Sequence, residues 1–142
     1  MVIDEKGISE QENIYYRLGC IISIISHENR DFKLTSFDVT NKILPAIRFS
    51  NCLIFYNDNG HPVSFVIWKK INSRRIESLK KACCNWHQIL GWNEGEDYFI
   101  THFHSQPRYR LSTINFLKNE KFGKGDIVYY INKRNKLIRR VL

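Results

Sequence analysis

A chain of 142 residues, 43% hydrophobic and 13% aromatic, fits a single domain over 1–142 with enough apolar material to bury a core without staples. Charged residues make up 25%, which excludes a disordered composition; the net charge of +8, from 22 Lys+Arg against 14 Asp+Glu, points to acidic partners such as nucleic acid, an acidic carrier protein, an anionic cofactor or a membrane surface. The longest apolar stretch, Cys20 to Ile25, is far too short to span a bilayer, and Met1 to Glu12 lacks the basic-then-apolar pattern of a leader, so no transmembrane segment and a cytoplasmic location are expected.

Ser9 to Ser26 reads as a helix. Ser9 and Glu12 have capping-box spacing, and Ile14, Leu18, Ile21, Ile22 and Ile25 recur at helical intervals. Ser26 to Lys33 is polar and reads as a loop; Leu34 to Arg48 is a short mixed segment in which Pro45 breaks the chain or marks a turn. Asn51 to Tyr56 and Val63 to Lys69 read as two strands of a hairpin around the turn Asn57-Asp58-Asn59-Gly60. Arg74 to Leu90 reads as a helix closed by Gly91, and Trp92 to Asp97 as a polar turn. Tyr98 to His104 is a third strand, rich in aromatic and β-branched residues. A loop with Pro107 leads into a helix over Leu111 to Glu120. Gly123-Lys124-Gly125 breaks the chain before strands over Asp126 to Asn132 and Leu137 to Leu142. This order predicts an α/β (α+β) sandwich, a largely antiparallel sheet flanked by helices. There is no internal repeat, linker or low-complexity tract. The four cysteines, Cys20, Cys52, Cys83 and Cys84, form no CxxC pair and read as free, partly buried thiols.

Several strings, in order, carry a family likeness. Leu18-Gly19 comes first, then Ile43-Leu44-Pro45-Ala46-Ile47 at a helix-to-strand junction, then the Asn/Asp turn followed by Pro62-Val63. The second strand ends in Trp68, where the family has Cys-Ser-Trp-Ala-Asn. Gly91-Trp92-Asn93-Glu94-Gly95-Glu96 then leads into Tyr98-Phe99-Ile100, where the family has Asp-Trp-Thr-Ser-Gly-Asp and Trp-Phe-Ile-Asp. From Leu18 to Asn132 the chain resembles the toxin-activating lysine acyltransferases (RTX toxin acyltransferases), including their microcin-maturation branch. The resemblance implies a GNAT-like sandwich. It implies transfer of an acyl group from acyl carrier protein, or another activated donor, to a lysine of a protoxin. In the microcin branch it implies help in joining a catechol siderophore to the C-terminal serine of a microcin precursor. The partners implied are the toxin or microcin precursor, acyl carrier protein, and a homodimer or a complex with a second maturation protein.

The family's catalytic pair is a histidine ahead of Leu-Pro-Ala-Ile and an aspartate after Trp-Phe-Ile. His27, the only histidine between Gly19 and Pro45, is the general base the resemblance implies, although counting without gaps puts Asp31 in that slot. The acid slot holds Thr101, which hydrogen-bonds but carries no charge. Three readings stay open: Thr101 in a weaker role, His102 or His104 taking over, or loss of the pair, leaving a binding subunit. Strand alternation puts Thr101 and Phe103 on one face, His102 and His104 on the other. Arg108 and Arg110 flank Tyr109 in a loop and, with Trp68, make the candidate substrate-binding set.

No metal is expected. His102 and His104 share a strand face, but no ligand spacing supports a third partner. Cys83-Cys84, beside Trp86 and His87, reads as packing thiols rather than a nucleophile. No bound cofactor is expected either: the glycines after Glu120 precede a strand, so no helix N-terminus is there to hold a pyrophosphate, and acetyl-CoA is discounted. The alternative function is a non-catalytic basic module that holds a partner, with Lys133, Arg134, Lys136, Arg139 and Arg140 as its face; nucleic acid ranks below an acidic protein.

Overall fold

The computed structural model describes residues 2–3, 10–28, 33–77, 80 and 91–142. Its centre is a six-stranded sheet whose strands lie side by side in chain order: β1 (Val2–Ile3), β2 (Cys52–Tyr56), β3 (Pro62–Ile71), β4 (Asp97–Ser105), β5 (Ile127–Ile131) and β6 (Leu137–Val141). Every pairing is antiparallel except β4 with β5. A parallel pair needs a crossover. Here it is α4 (Arg110–Phe116), which runs on as a π-helical turn, Leu117–Lys121. The α/β sandwich with a largely antiparallel sheet is therefore what the chain forms.

Helix α1 (Glu10–Glu28) buries Cys20, Ile21, Ile24 and Ile25, and leaves Ile22 exposed. The buried positions follow the helical period, and each isoleucine so buried contributes about 1.5–3 kcal/mol. The helix runs two residues past the expected end at Ser26, taking in His27 and Glu28. The Ser9 cap lies outside the described residues. The capping box that is present is Thr35 with Asp38: Asp38 N–H donates to Thr35 Oγ1 at 3.1 Å and Thr35 N–H donates to Asp38 Oδ2 at 3.2 Å.

That cap opens three consecutive helical pieces, α2 (Ser36–Asp38), a π-helical turn (Val39–Ile43) and α3 (Leu44–Arg48). Pro45 does not break this segment as expected. It sits in the first turn of α3, just after the π-helical widening, where a missing N–H is tolerated. The break comes at Ser50, whose φ is 59°. Ser50 N–H donates to Ile47 O at 3.1 Å and Asn51 N–H to Ala46 O at 2.8 Å, the Schellman pattern of a helix end.

The Asn57–Gly60 hairpin forms as read. Asn57 Oδ1 accepts from the N–H groups of Asn59 and His61, each at 3.0 Å, and Gly60 takes a φ of 81° that a side chain would resist. The two sheet faces bury separate cores. On one, α1 and α3 cover Ile54, Phe65 and Ile67; on the other, Leu117 and Phe122 cover Phe55, Val66 and Trp68. Of the helix expected over 74–90, the described part is a 3-10 turn, Ser73–Arg75, and the helical start at Ile76; the remainder, with Cys83, Cys84, Trp86 and His87, lies outside the described residues.

Candidate functional site

The site is built where β4 runs on past its pairing with β5. β4 pairs with β5 only at Tyr98–Val128, Phe99–Tyr129 and Ile100–Tyr130, yet β4 continues to Ser105. β5 ends at Ile131, one residue after its last pair, and beside the stretch of β4 that runs on past it lies a cavity of about 790 Å3. Its walls are mainly apolar: Ile100, Phe103, Ile114, Leu117, Phe122, Val128, Tyr130 and Ile131. Thr101, His102 and His104 line it too, as do the cationic Lys118 and Arg140.

β4 carries a bulge just past its last pair with β5. Ile67 opposes His102 while Trp68 opposes Ile100, so Thr101 is the extra residue. A bulge puts two residues opposite one and interrupts alternation. Thr101 thus leaves the face shared with Phe103 and turns towards His102, with Thr101 Oγ1 3.0 Å from His102 Nδ1. Its hydroxyl also donates to Ile67 O at 3.3 Å. With that proton committed, Nδ1 of His102 is the donor to Thr101. Opposed residues of an antiparallel pair share a face, so His102 and His104, opposite Ile67 and Phe65, stand on the side covered by α1.

His102 is only partly exposed, and burial lowers its pKa from 6.5 to about 4. The positive charges of His104, Lys42 and Lys69 push the same way, against Asp38. It is a neutral imidazole at physiological pH, and a weak base. Lys69, 2% exposed on the same face, is lowered to about 8 by burial, opposed by the charge of Glu94. Its ammonium lies 4.4 Å over the Trp92 ring. Trp92 is held there because Asn51 Nδ2 donates to its carbonyl at 3.0 Å and Lys70 N–H donates to the same atom at 2.9 Å.

His104 has a different partner. Its Nδ1 lies 2.7 Å from Glu28 Oε2, the last residue of α1. Arg110 Nη2 lies 3.8 Å from Glu28 Oε1. The imidazole stacks on Phe65, centroids 5.1 Å apart at 19°. The structure therefore brings Thr101, His102 and Arg110 into one neighbourhood, with His104 and Glu28 at its centre.

The other sequence-derived residues lie elsewhere. His27 is exposed, and its Nδ1 meets Ser23 O at 2.8 Å, one helical turn back. Arg108 is exposed beside the Tyr109 ring. Trp68 is 2% exposed, packed in the core under Lys121, whose ammonium is 4.6 Å over its ring. Asp31 lies outside the described residues. Among those described, no three His, Cys, Asp or Glu side chains converge as a metal site would require. Cys20 and Cys52 are buried free thiols; burial pushes Cys52 up to about 12, which makes it a packing group.

Three contributors escaped the sequence reading. The polar run from Ser26 to Lys33 reads as a loop that takes in Glu28, yet the helical period of Ile21 and Ile25 carries on to it. Lys69 is in phase with Phe65, Ile67 and Ile71 on the inward face of β3, which marks a buried lysine. Asp38 is announced by the Thr-x-x-Asp cap.

A family model described as HlyC, RTX toxin acyltransferase family, matches residues 10–142. No curated protein matches the chain. Among the described residues, no helix is long and apolar enough to cross a membrane.

Proposed function

The chain belongs to the RTX toxin acyltransferase family, a family of toxin-activating acyltransferases, and from that premise we propose that it transfers an acyl group from a carrier-bound thioester to a nucleophile of a toxin or bacteriocin precursor. The observation that carries this reading is the cavity beside the end of β4, whose apolar walls suit an acyl chain and whose lining includes Thr101, His102 and His104. The acceptor nitrogen or oxygen attacks the thioester carbonyl. Its proton passes to a base, the C–S bond breaks, and the carrier thiol leaves with a proton. The exposed cations Lys133, Arg134, Lys136, Arg139 and Arg140 give an acidic carrier protein a face to approach.

A lysine amine of a protoxin is the first acceptor. The aromatic lining of Phe103, Phe122 and Tyr130 also suits an aromatic acyl group, which favours siderophore attachment at the C-terminal serine of a microcin precursor as the second reading. The test is to produce the protein together with each precursor and measure intact masses. A mass increase that fragmentation maps to lysine or to the terminal serine is expected. Unchanged mass with both precursors would overturn the enzyme reading and leave a binding subunit.

A further inference from the structure

Two imidazoles stand two residues apart on β4, and what holds Nδ1 separates them. For His102 it is the neutral hydroxyl of Thr101, at 3.0 Å; for His104 it is the carboxylate of Glu28, at 2.7 Å. A carboxylate only accepts, so Nδ1 of His104 carries the hydrogen and Nε2 is the basic nitrogen of that tautomer. The Phe65 ring stacked at 19° sets the plane of the imidazole, and Arg110 approaches the second carboxylate oxygen at 3.8 Å. The ring is therefore fixed in tautomer, plane and rotation at once.

Glu28 is the last described residue of α1, a 19-residue helix. What holds the carboxylate there is His104 on one oxygen and Arg110 towards the other.

We propose that His104 is the catalytic base of the acyl transfer and Glu28 its positioning carboxylate, so that an acid from α1 and a histidine from β4 form the working dyad. This rests on the acyl-transfer reading above. As the acceptor amine or hydroxyl attacks the thioester carbonyl, its proton moves to Nε2 of His104, and the same proton then serves the departing thiolate, leaving the dyad as it began. Glu28 stays ionised throughout and acts by orientation and charge. His104 is among the residues that line the cavity assigned above to the acyl chain. The groups facing it are Glu28 on α1, Arg110 at the start of α4, and His102 on its own strand. His102 instead meets the hydroxyl of Thr101 at Nδ1, and burial disfavours the protonated state a base must pass through.

The experiment uses the whole chain with the precursor that gains mass, measuring the rate of modification. His104→Ala is expected to lose about 100-fold or more in kcat, the scale of general-base catalysis. His104→Gly is expected to regain activity with added imidazole, a rescue that a damaged fold would not give. Glu28→Gln is expected to lower kcat at least about tenfold with KM nearly unchanged, and Glu28→Asp to recover part of the loss. Wild-type rates in folded His104→Ala, or loss in His27→Ala with none in His104→Ala, would overturn the dyad while acyl transfer itself stands. If the wild type modifies neither precursor, it is the acyl-transfer reading that fails.

Discussion

Thr113, on the inner side of α4, tests how the crossover is locked to the sheet. Ser64 of β3, Ser105 of β4 and Thr113 are all 0% exposed. Thr113 Oγ1 donates to Tyr109 O at 2.8 Å and lies 2.8 Å from Ser64 Oγ, which in turn lies 3.1 Å from Ser105 Oγ. Because the Thr113 proton goes to Tyr109 O, Ser64 is the donor to Thr113. Thr113→Val keeps the shape and removes both bonds. At about 1 kcal/mol net for each, the loss is about 2 kcal/mol. For a domain of this size, that lowers Tm by about 4–8 °C. Thr113→Ser keeps the hydroxyl and costs about 1 kcal/mol for the lost methyl. Thermal and urea unfolding of these variants and of Ser64→Ala provide the measurement. The double variant Ser64→Ala/Thr113→Val should cost about 1 kcal/mol less than the sum of the singles, because the Ser64–Thr113 bond they share is lost only once. A Tm for Thr113→Val within 1 °C of wild type, or strict additivity, would refute the lock.

His102 takes its proton at about pH 4 in the folded chain against 6.5 unfolded, so as pH falls the unfolded chain binds the proton first; the contribution is full above 6.5 and is lost on the way to 4. That interval is worth about 3 kcal/mol at most, and about 1–2 kcal/mol for a ring partly open to solvent; wild type should lose that much more than His102→Gln between pH 7 and 4 in urea titrations, and parallel curves would refute the burial of a neutral ring. Gly95→Ala should destabilise by about 2 kcal/mol or more, since a Cβ there would collide with the backbone of Ile71. Its urea midpoint should fall accordingly, and an unchanged midpoint would show that the 92–95 segment shifts freely. The mass measurement on the two precursors and the His104 and Glu28 kinetics complete the set.

The sheet was legible because its signals are local. The Asn57–Gly60 turn, the β-branched and aromatic runs, and the glycines before β5 each fix a strand within a few residues. Pro45 misled because a proline in the first turn of a helix looks, from sequence, like one that ends a helix; only the π-helical turn before it tells them apart. The pairing of Glu28 with His104 could not be read at all. The two are 76 positions apart, and the contact depends on a helix running three residues past its last isoleucine and on a bulge that resets alternation in β4. His27 and Thr101 stand at the motif positions, whereas the carboxylate–imidazole pair forms from Glu28, next to His27, and His104, three residues past Thr101.

The strand order of the sheet has a consequence for how the protein comes into being. Each strand pairs with the one made just before it, so from β2 onwards the sheet can grow in the order of synthesis. α1, β2 and β3 can bury one face of the core early. The imidazole that Glu28 waits for arrives only when β4 zips onto β3, and the cavity beside it takes shape only when β5 follows. A nascent or clipped chain that stops short of Ser105 thus keeps a partial core and an acidic helix end, but no dyad; reactivity is withheld until most of the polypeptide is in place.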